Sequence, residues 1–169
     1  MKTIKVKEYK EIPEDYTGII EFADGTKHWH LNGKRHRVDG PALEFADGTK
    51  KWYLHGELHR TDGPAREYPD GNEFWYLHGK QHREDGPAVK RANGTKYWFL
   101  NGELHRVDGP ACEWSNGTKE WYSNGKRHRV DGPACEYVDD YKEYYINGEK
   151  VTKQAQEVLY VFYKLKGIL

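Results

Sequence analysis

The string Asp-Gly-Pro-Ala recurs at Asp39, Asp62, Asp85, Asp108 and Asp131, at a constant step of 23 residues. A fixed period in this range constrains the fold more tightly than any local propensity. Each copy is one supersecondary unit too small to bury its own apolar face, so the copies must stack. Trp29, Trp52, Trp75, Trp98 and Trp121 keep the same step, as do His36, His59, His82, His105 and His128, each followed by Arg. Gly33, Gly56, Gly79, Gly102, Gly125 and Gly148 mark a turn in every unit. The period predicts five full units over residues 21–135 and a degenerate sixth from Glu136, with Tyr144 where Trp stood. The array then covers residues 21–150. Residues 1–20 are expected to form a lead-in or cap strand, with Gly18-Ile19-Ile20 imitating the Gly-Pro-Ala segment, and residues 151–169 a C-terminal capping helix.

Each unit reads as two β-strands. Ala46-Asp47-Gly48 separates one pair of β-rich runs, and Asn32-Gly33 or His55-Gly56 separates the next. Asp-Gly and Asn-Gly in such settings are hairpin signals. Helix inside the array is opposed by the recurrent Gly and Pro. A three-residue Ala-Asp-Gly loop sets Glu44 opposite Lys50 and Ala42 opposite Trp52. The charge pairing recurs as Glu21–Lys27, Glu113–Lys119 and Glu136–Lys142, a favourable cross-strand arrangement, and Glu67/Glu73 and Lys90/Lys96 break it. A two-residue Asn-Gly turn brings Trp29 opposite His36. Trp, Ala and His then share one face. Tyr53, Tyr76, Phe99 and Tyr122 share the other, with Phe45, Tyr68, Trp114 and Tyr137. The expected fold is all-β, an elongated single-layer antiparallel array of hairpins. Cys112 and Cys135 hold the same position in adjacent units, about 10 Å apart, beyond disulfide reach, so both are expected to be free thiols.

The C-terminal segment differs. Val151, Ala155, Val158, Leu159 and Phe162 follow helical spacing, with Thr152 as an N-cap and Gly167 as a stop. This predicts an α-helix that covers the last strand edge, since bare edges invite aggregation.

Composition narrows the function. Lys+Arg and Asp+Glu each number 27, a balance that argues against a nucleic-acid partner. No apolar run approaches the roughly 20 residues of a membrane span, and no apolar stretch of signal length is visible near the start, so a cytoplasmic location is expected. Two cysteines suit a reducing compartment. A mean hydropathy of −1.05 would suit disorder, but 14% of the residues are aromatic and must pack.

Asn-Gly-Lys-Arg-His at residues 32–36, followed by Ala-Asp-Gly-Thr-Lys at residues 46–50 and repeated at period 23, resembles the MORN repeat. The resemblance extends over residues 21–150 and is strongest to variant repeats of large DNA viruses and phages that carry His-Arg-x-Asp-Gly-x-Pro-Ala-like strings. The common MORN strand reads Tyr-x-Gly-x-Trp; here it reads Trp-Tyr-Leu, and the link is about two residues longer. The resemblance implies an elongated single layer of hairpins and a role in scaffolding, protein binding or, in some members, lipid binding. It offers no catalytic residues. A viral or phage source would place the chain in the host cytoplasm, where blocking a host factor is a natural use.

His36-Arg37-x-Asp39 and its copies have acid–base side chains. Catalysis needs one preorganised constellation, whereas these copies should stand about 10 Å apart along the array. A ladder in which Arg and Asp of neighbouring units pair is the expectation. The nine histidines come with no Cys pairs and no recurring carboxylate cluster, so neither metal nor cofactor is expected. The common enzyme signatures are absent, and no enzyme is expected. Binding is assigned to the Tyr/Phe row, because Tyr and Arg are enriched at interfaces. Unit four carries Lys90 and Arg91 where other units have Glu and an aromatic, with Arg66 nearby. The candidate residues are Arg66, Tyr76, Lys90, Arg91, Phe99, Tyr53 and Tyr122, and the expected partner is a protein. The alternatives are a phosphoinositide or membrane-surface scaffold, and an enzyme or ligand-binding protein using a His-Arg-x-Asp site. Homodimers through the aromatic face or the C-terminal helix are a further expectation.

Overall fold

Two different turns alternate along the chain, and they set everything else. In the first, Phe45 N donates to Thr49 O (2.9 Å) and Gly48 N to Phe45 O (3.0 Å), while the Asp47 carboxylate accepts from Thr49 N (2.8 Å). Gly48 has φ 89°, the left-handed residue that closes a three-residue hairpin loop. The sixth unit replaces this glycine by Asp140, which still takes φ 61°. In the second turn both central residues are left-handed, as in Asn32 (49°) with Gly33 (73°) and His55 (51°) with Gly56 (91°). These are type I′ geometries, whose twist matches that of the flanking strands.

The computed structural model describes residues 2–8 and 11–168. Met1, Tyr9 and Lys10 of the lead-in and Leu169 of the terminal segment lie outside the described residues. The protein is an all-β array of hairpin repeats with a single C-terminal helix. The chain divides into two compact units, residues 1–83 and 84–169.

In the first unit β1 (Thr3–Val6) lies beside β2 (Gly18–Phe22), and β2 beside β3 (Lys27–Leu31). Leu43–Glu44, Lys50–Lys51, Arg66–Glu67 and Glu73–Phe74 continue the sheet in chain order. In the second, Val89–Lys90, Lys96–Tyr97, Cys112–Glu113, Lys119–Glu120, Cys135–Glu136, Lys142–Ile146 and Glu149–Val151 do the same. The expected register holds. Glu21 faces Lys27, Glu44 faces Lys50, Glu113 faces Lys119 and Glu136 faces Lys142. Glu67 faces Glu73, but Lys50 stands on its other side; Lys90 faces Lys96, which is flanked in turn by Glu113. Cys112 and Cys135 are buried free thiols separated by the strand that carries Glu120. Burial pushes the Cys112 thiol up to about 12.

Three expectations need correction. The inner units do not hold two continuous strands. Each strand breaks at its tryptophan, so Tyr53–Leu54 pairs with Glu57–Leu58 in a ladder of its own, and the same happens at Tyr76, Phe99 and Tyr122. At the break Trp52 divides its backbone between two partners. Its N–H donates to Ala65 O of the next unit (2.8 Å), and its carbonyl accepts from His59 N of its own hairpin (3.1 Å). Trp29 makes the same two bonds inside the unbroken β3, which β2 flanks along Gly18–Glu21; in the inner units no such long strand lies alongside.

The array is also not wholly antiparallel, because β1 runs parallel to β2. Val6, Tyr16 and Ile20 form a small buried cluster there, with Ile4, Ile12 and Phe22 against it. Ile19, not Ile20, stands opposite Trp29, so the imitation of Gly-Pro-Ala is offset by one residue.

The third concerns α1 (Lys153–Leu165). Its N-cap Thr152 accepts from Ala155 N (3.2 Å), and Gly167 follows its C-terminus with φ 64°, both as expected. Its apolar spacing is split between two sides, however: Gln156, Leu159, Tyr160 and Tyr163 are its least exposed residues. Gln156 is 4% exposed and its Nε2 donates to the Val130 carbonyl, while Val158, Val161, Phe162 and Leu165 stand at least half exposed. The helix lies against the strand Lys142–Ile146, with Leu159 half-buried while Val158 and Phe162 face outward.

The core is thin. Ala42, Ala65, Ala88, Ala111 and Ala134 are fully buried on one side of the sheet; Leu43, Val89, Cys112 and Cys135 are buried on the other.

Candidate functional site

One face of every unit is built around the arginine that follows the repeated histidine. Arg37 stacks over the Trp29 ring at 4.2 Å, and its Nε donates to Asp39 (3.0 Å) and its Nη1 to the Pro41 carbonyl and Glu44 (both 3.2 Å). Arg60 on Trp52, Arg106 on Trp98 and Arg129 on Trp121 repeat the arrangement at 4.0–4.1 Å with the equivalent Asp, Pro and Glu. Arg83 covers Trp75 at 4.3 Å. Hydrogen bonds from these arginines hold the carboxyls of Asp39, Asp62 and Asp108 below the usual range. The expected Arg–Asp pairing between neighbouring units is thus corrected: each pair lies within one Arg-x-Asp loop, two residues apart, because Arg Nε reaches its own loop while Nη1 reaches forward to the Glu.

The histidines tie unit to unit. His36 Nδ1 accepts from His55 N (3.1 Å), His59 Nδ1 from His78 N (3.3 Å), His105 Nδ1 from Asn124 N (3.1 Å) and His128 Nδ1 from Asn147 N (3.0 Å). Such a bond requires an unprotonated Nδ1. Burial lowers the pKa of His36, His59 and His128. Grooves open between successive loops of this face. One, of about 800 Å³, is lined by Arg106, Asp108, Trp121, His128, Arg129 and Tyr160; a counterpart of about 520 Å³ is lined by Arg37, Asp39, Trp52, His59, Arg60 and Asp62.

The opposite face repeats only its aromatic rows, and two positions between them vary. At the place of Leu43 in its unit the chain carries Ile20, Arg66, Val89, Cys112 and Cys135 in turn; at the place of Lys51 it carries His28, Phe74, Tyr97, Glu120 and Glu143. The candidate residues fall as follows. Tyr53 faces Leu58 and lies under Arg35, 5.5 Å from its ring centroid. Arg66 stands between Lys51 and Phe74, over the rings of Tyr68 (5.3 Å) and Phe74 (5.2 Å). Tyr76 faces Gln81 in the adjoining hairpin. In the second unit Phe99 faces Leu104, Arg91 is exposed, and the Tyr122 hydroxyl donates to Glu120 (2.9 Å) beside Arg127.

Lys90 departs from the expected grouping. It faces Lys96, which faces Glu113, the partner of Arg106 above Trp98. Directly paired residues share a face, and consecutive residues of a strand point to opposite faces. Lys90 therefore belongs to the tryptophan face and Arg91 to the other. The charge pattern missed Arg35 and Lys51. Comparing units position by position, rather than by consensus, exposes them.

Among the described residues no group of three or more His, Cys, Asp or Glu is placed to hold a metal ion, and no helix is long and apolar enough to cross a membrane. No family model matches the chain, and no curated protein matches it.

Proposed function

We propose that the protein is a non-enzymatic, cytoplasmic binding scaffold whose varied face docks a protein partner. The observation that carries this reading is the contrast between its faces. On the tryptophan face the Arg of each copy stacks on its Trp, and His36, His59, His105 and His128 each bond the following copy. The other face changes identity from unit to unit while remaining rich in Tyr, Phe and Arg. A surface copied five times offers equivalent addresses, whereas a varied surface offers a unique one. Aromatic and arginine side chains supply the anchoring area typical of hot spots. The resemblance to MORN repeats supports the same reading.

The test is capture of the partner by tagged protein. Tyr76→Ala with Arg91→Glu should abolish capture with the far-UV spectrum intact. His128→Ala should keep capture while lowering the melting temperature, because it removes the acceptor of Asn147 N. Loss of capture by folded His128→Ala, with capture retained by the double variant, would replace this reading by a site in the His-Arg-Asp row.

A further inference from the structure

The varied face of the first unit gathers positive charge. Lys51 is paired directly across the sheet with Arg66. Like charges in that position repel. Burial, then Arg66 and Arg35, press the Lys51 ammonium pKa downward. The carboxylate that acts in the other direction is Asp47, exposed in the adjoining loop and bonded to the Thr49 amide. The Nε atoms of Arg35 and Arg66 and both ring nitrogens of His30 are buried without a hydrogen-bond partner. Buried polar groups are normally satisfied, and leaving one unsatisfied is costly.

The cations are also oriented. Lys51 Nζ lies 4.8 Å from the Phe45 ring centroid, and Arg35 and Arg66 lie over Tyr53 and Tyr68. Aromatic walls hold the charged groups in place without neutralising them.

We infer that Arg35, Lys51 and Arg66 form a seat for an acidic segment of the protein partner, with carboxylates meeting the cations and apolar side chains meeting Phe45, Tyr53 and Tyr76. This rests on the docking reading above and names the chemistry of the partner. A peptide is favoured because the cations are interleaved with aromatic surface, which a lone anion would leave unused. Planar guanidinium groups match carboxylates two bonds at a time, and the shared charge steers the encounter.

The experiment uses the full chain and the peptide acetyl-(Glu-Phe)4-amide, titrated calorimetrically. Wild-type protein should bind it, more weakly at high salt, and should bind (Lys-Phe)4 at least tenfold less well. Lys51→Gln with Arg66→Gln should weaken acidic-peptide binding at least tenfold, whereas Lys126→Gln, in a short hairpin strand of the second unit, should leave it unchanged. Without peptide, Lys51→Gln should raise the melting temperature, since it removes repulsion; with peptide, the wild type should gain thermal stability and the double variant should not. Equal peptide binding by wild type and double variant would overturn the inference. So would binding of inorganic phosphate or phosphatidylserine vesicles, with the same dependence on Lys51 and Arg66, in place of the peptide. A captured partner that ignores Lys51→Gln with Arg66→Gln yet is lost with Tyr76→Ala would remove the acidic seat and leave the docking reading standing.

Discussion

Lys51 and Glu120 occupy the same place in the repeat, three units apart. Around Glu120 the charges close on themselves. Arg127 reaches its carboxylate (3.3 Å), Tyr122 donates to it (2.9 Å), and one unit later Glu143 takes Lys150 (2.5 Å) and the Tyr137 hydroxyl (3.0 Å). Around Lys51 stand Arg35 and Arg66. The hairpins and registers are the same, so the scaffold does not dictate the difference. A chain that needed only stability at Lys51 had a solution at hand in its own fifth unit. The open charge near Lys51 is what the proposed acidic seat rests on.

The comparison can be broken first at what the two regions share. Trp52→Ala and Trp121→Ala should each cost about 3 kcal/mol, because each uncovers a buried alanine and an arginine stack. Unequal losses in urea unfolding would trace the contrast to the scaffold instead. By the same logic Trp75→Ala should lower the melting temperature more than Tyr76→Ala.

Glu120→Ala should cost about 2 kcal/mol, since it strands Arg127 and the Tyr122 hydroxyl around a buried position. A neutral result would mean that the closed network is ornamental.

Acid should act on the first region. Burial, with Arg35 and His30 adding to it, lowers the His28 pKa from 6.5 to about 4. The folded value lies below the unfolded one, so the neutral form stabilises the fold above pH 6.5 and that contribution is lost as pH falls toward 4. The loss should reach about 2 kcal/mol by pH 5. Hydrogen exchange at pH 7 and pH 5 should show weakening at residues 27–31 that the strand 142–146 does not share.

The smallest effect has the opposite sign. Lys51→Glu copies the fifth unit's solution between Arg35 and Arg66, and should stabilise the ligand-free protein by about 1 kcal/mol in urea unfolding.

Periodicity made the turns, the cross-strand register, the free cysteines and the helix boundaries legible in advance, because each is set locally. Asp47-Gly48 and Asn32-Gly33 state their backbone angles in their residue types, and Glu44 opposite Lys50 follows from loop length alone. The break at Trp52 was not legible. Trp29 makes the same two bonds in an unbroken strand, so the break depends on how far the neighbouring strand extends, which no alternation of side chains encodes. The buried side of the helix was not legible either. Apolar spacing shows which residues can be buried together, but Gln156, bonded to the Val130 carbonyl, is the most buried residue of the helix and Val158 and Phe162 are exposed. For the candidate site, consensus concealed the signal. Lys90 and Arg91 drew notice as neighbours in sequence although a strand sends them to opposite faces, while Lys51 and Arg66, 15 residues apart in number, meet across the sheet.

The clasps between units have a consequence for how such a chain is made and remade. The bonds from His55 N to His36 and from His78 N to His59 each join residues 19 apart, and those from Ala46 N to Thr26 and Ser115 N to Thr95 join residues 20 apart. Within residues 1–83 and within residues 84–169 these closures have nearly the same length, so the entropy lost in docking one copy on the last is nearly constant in each. Short, uniform closures favour rapid folding that can start at any copy and spread in either direction. They also make copy number cheap to change: a duplication or loss of 23 residues within the array leaves each remaining junction intact, so length can drift while the docking surface is rewritten one unit at a time.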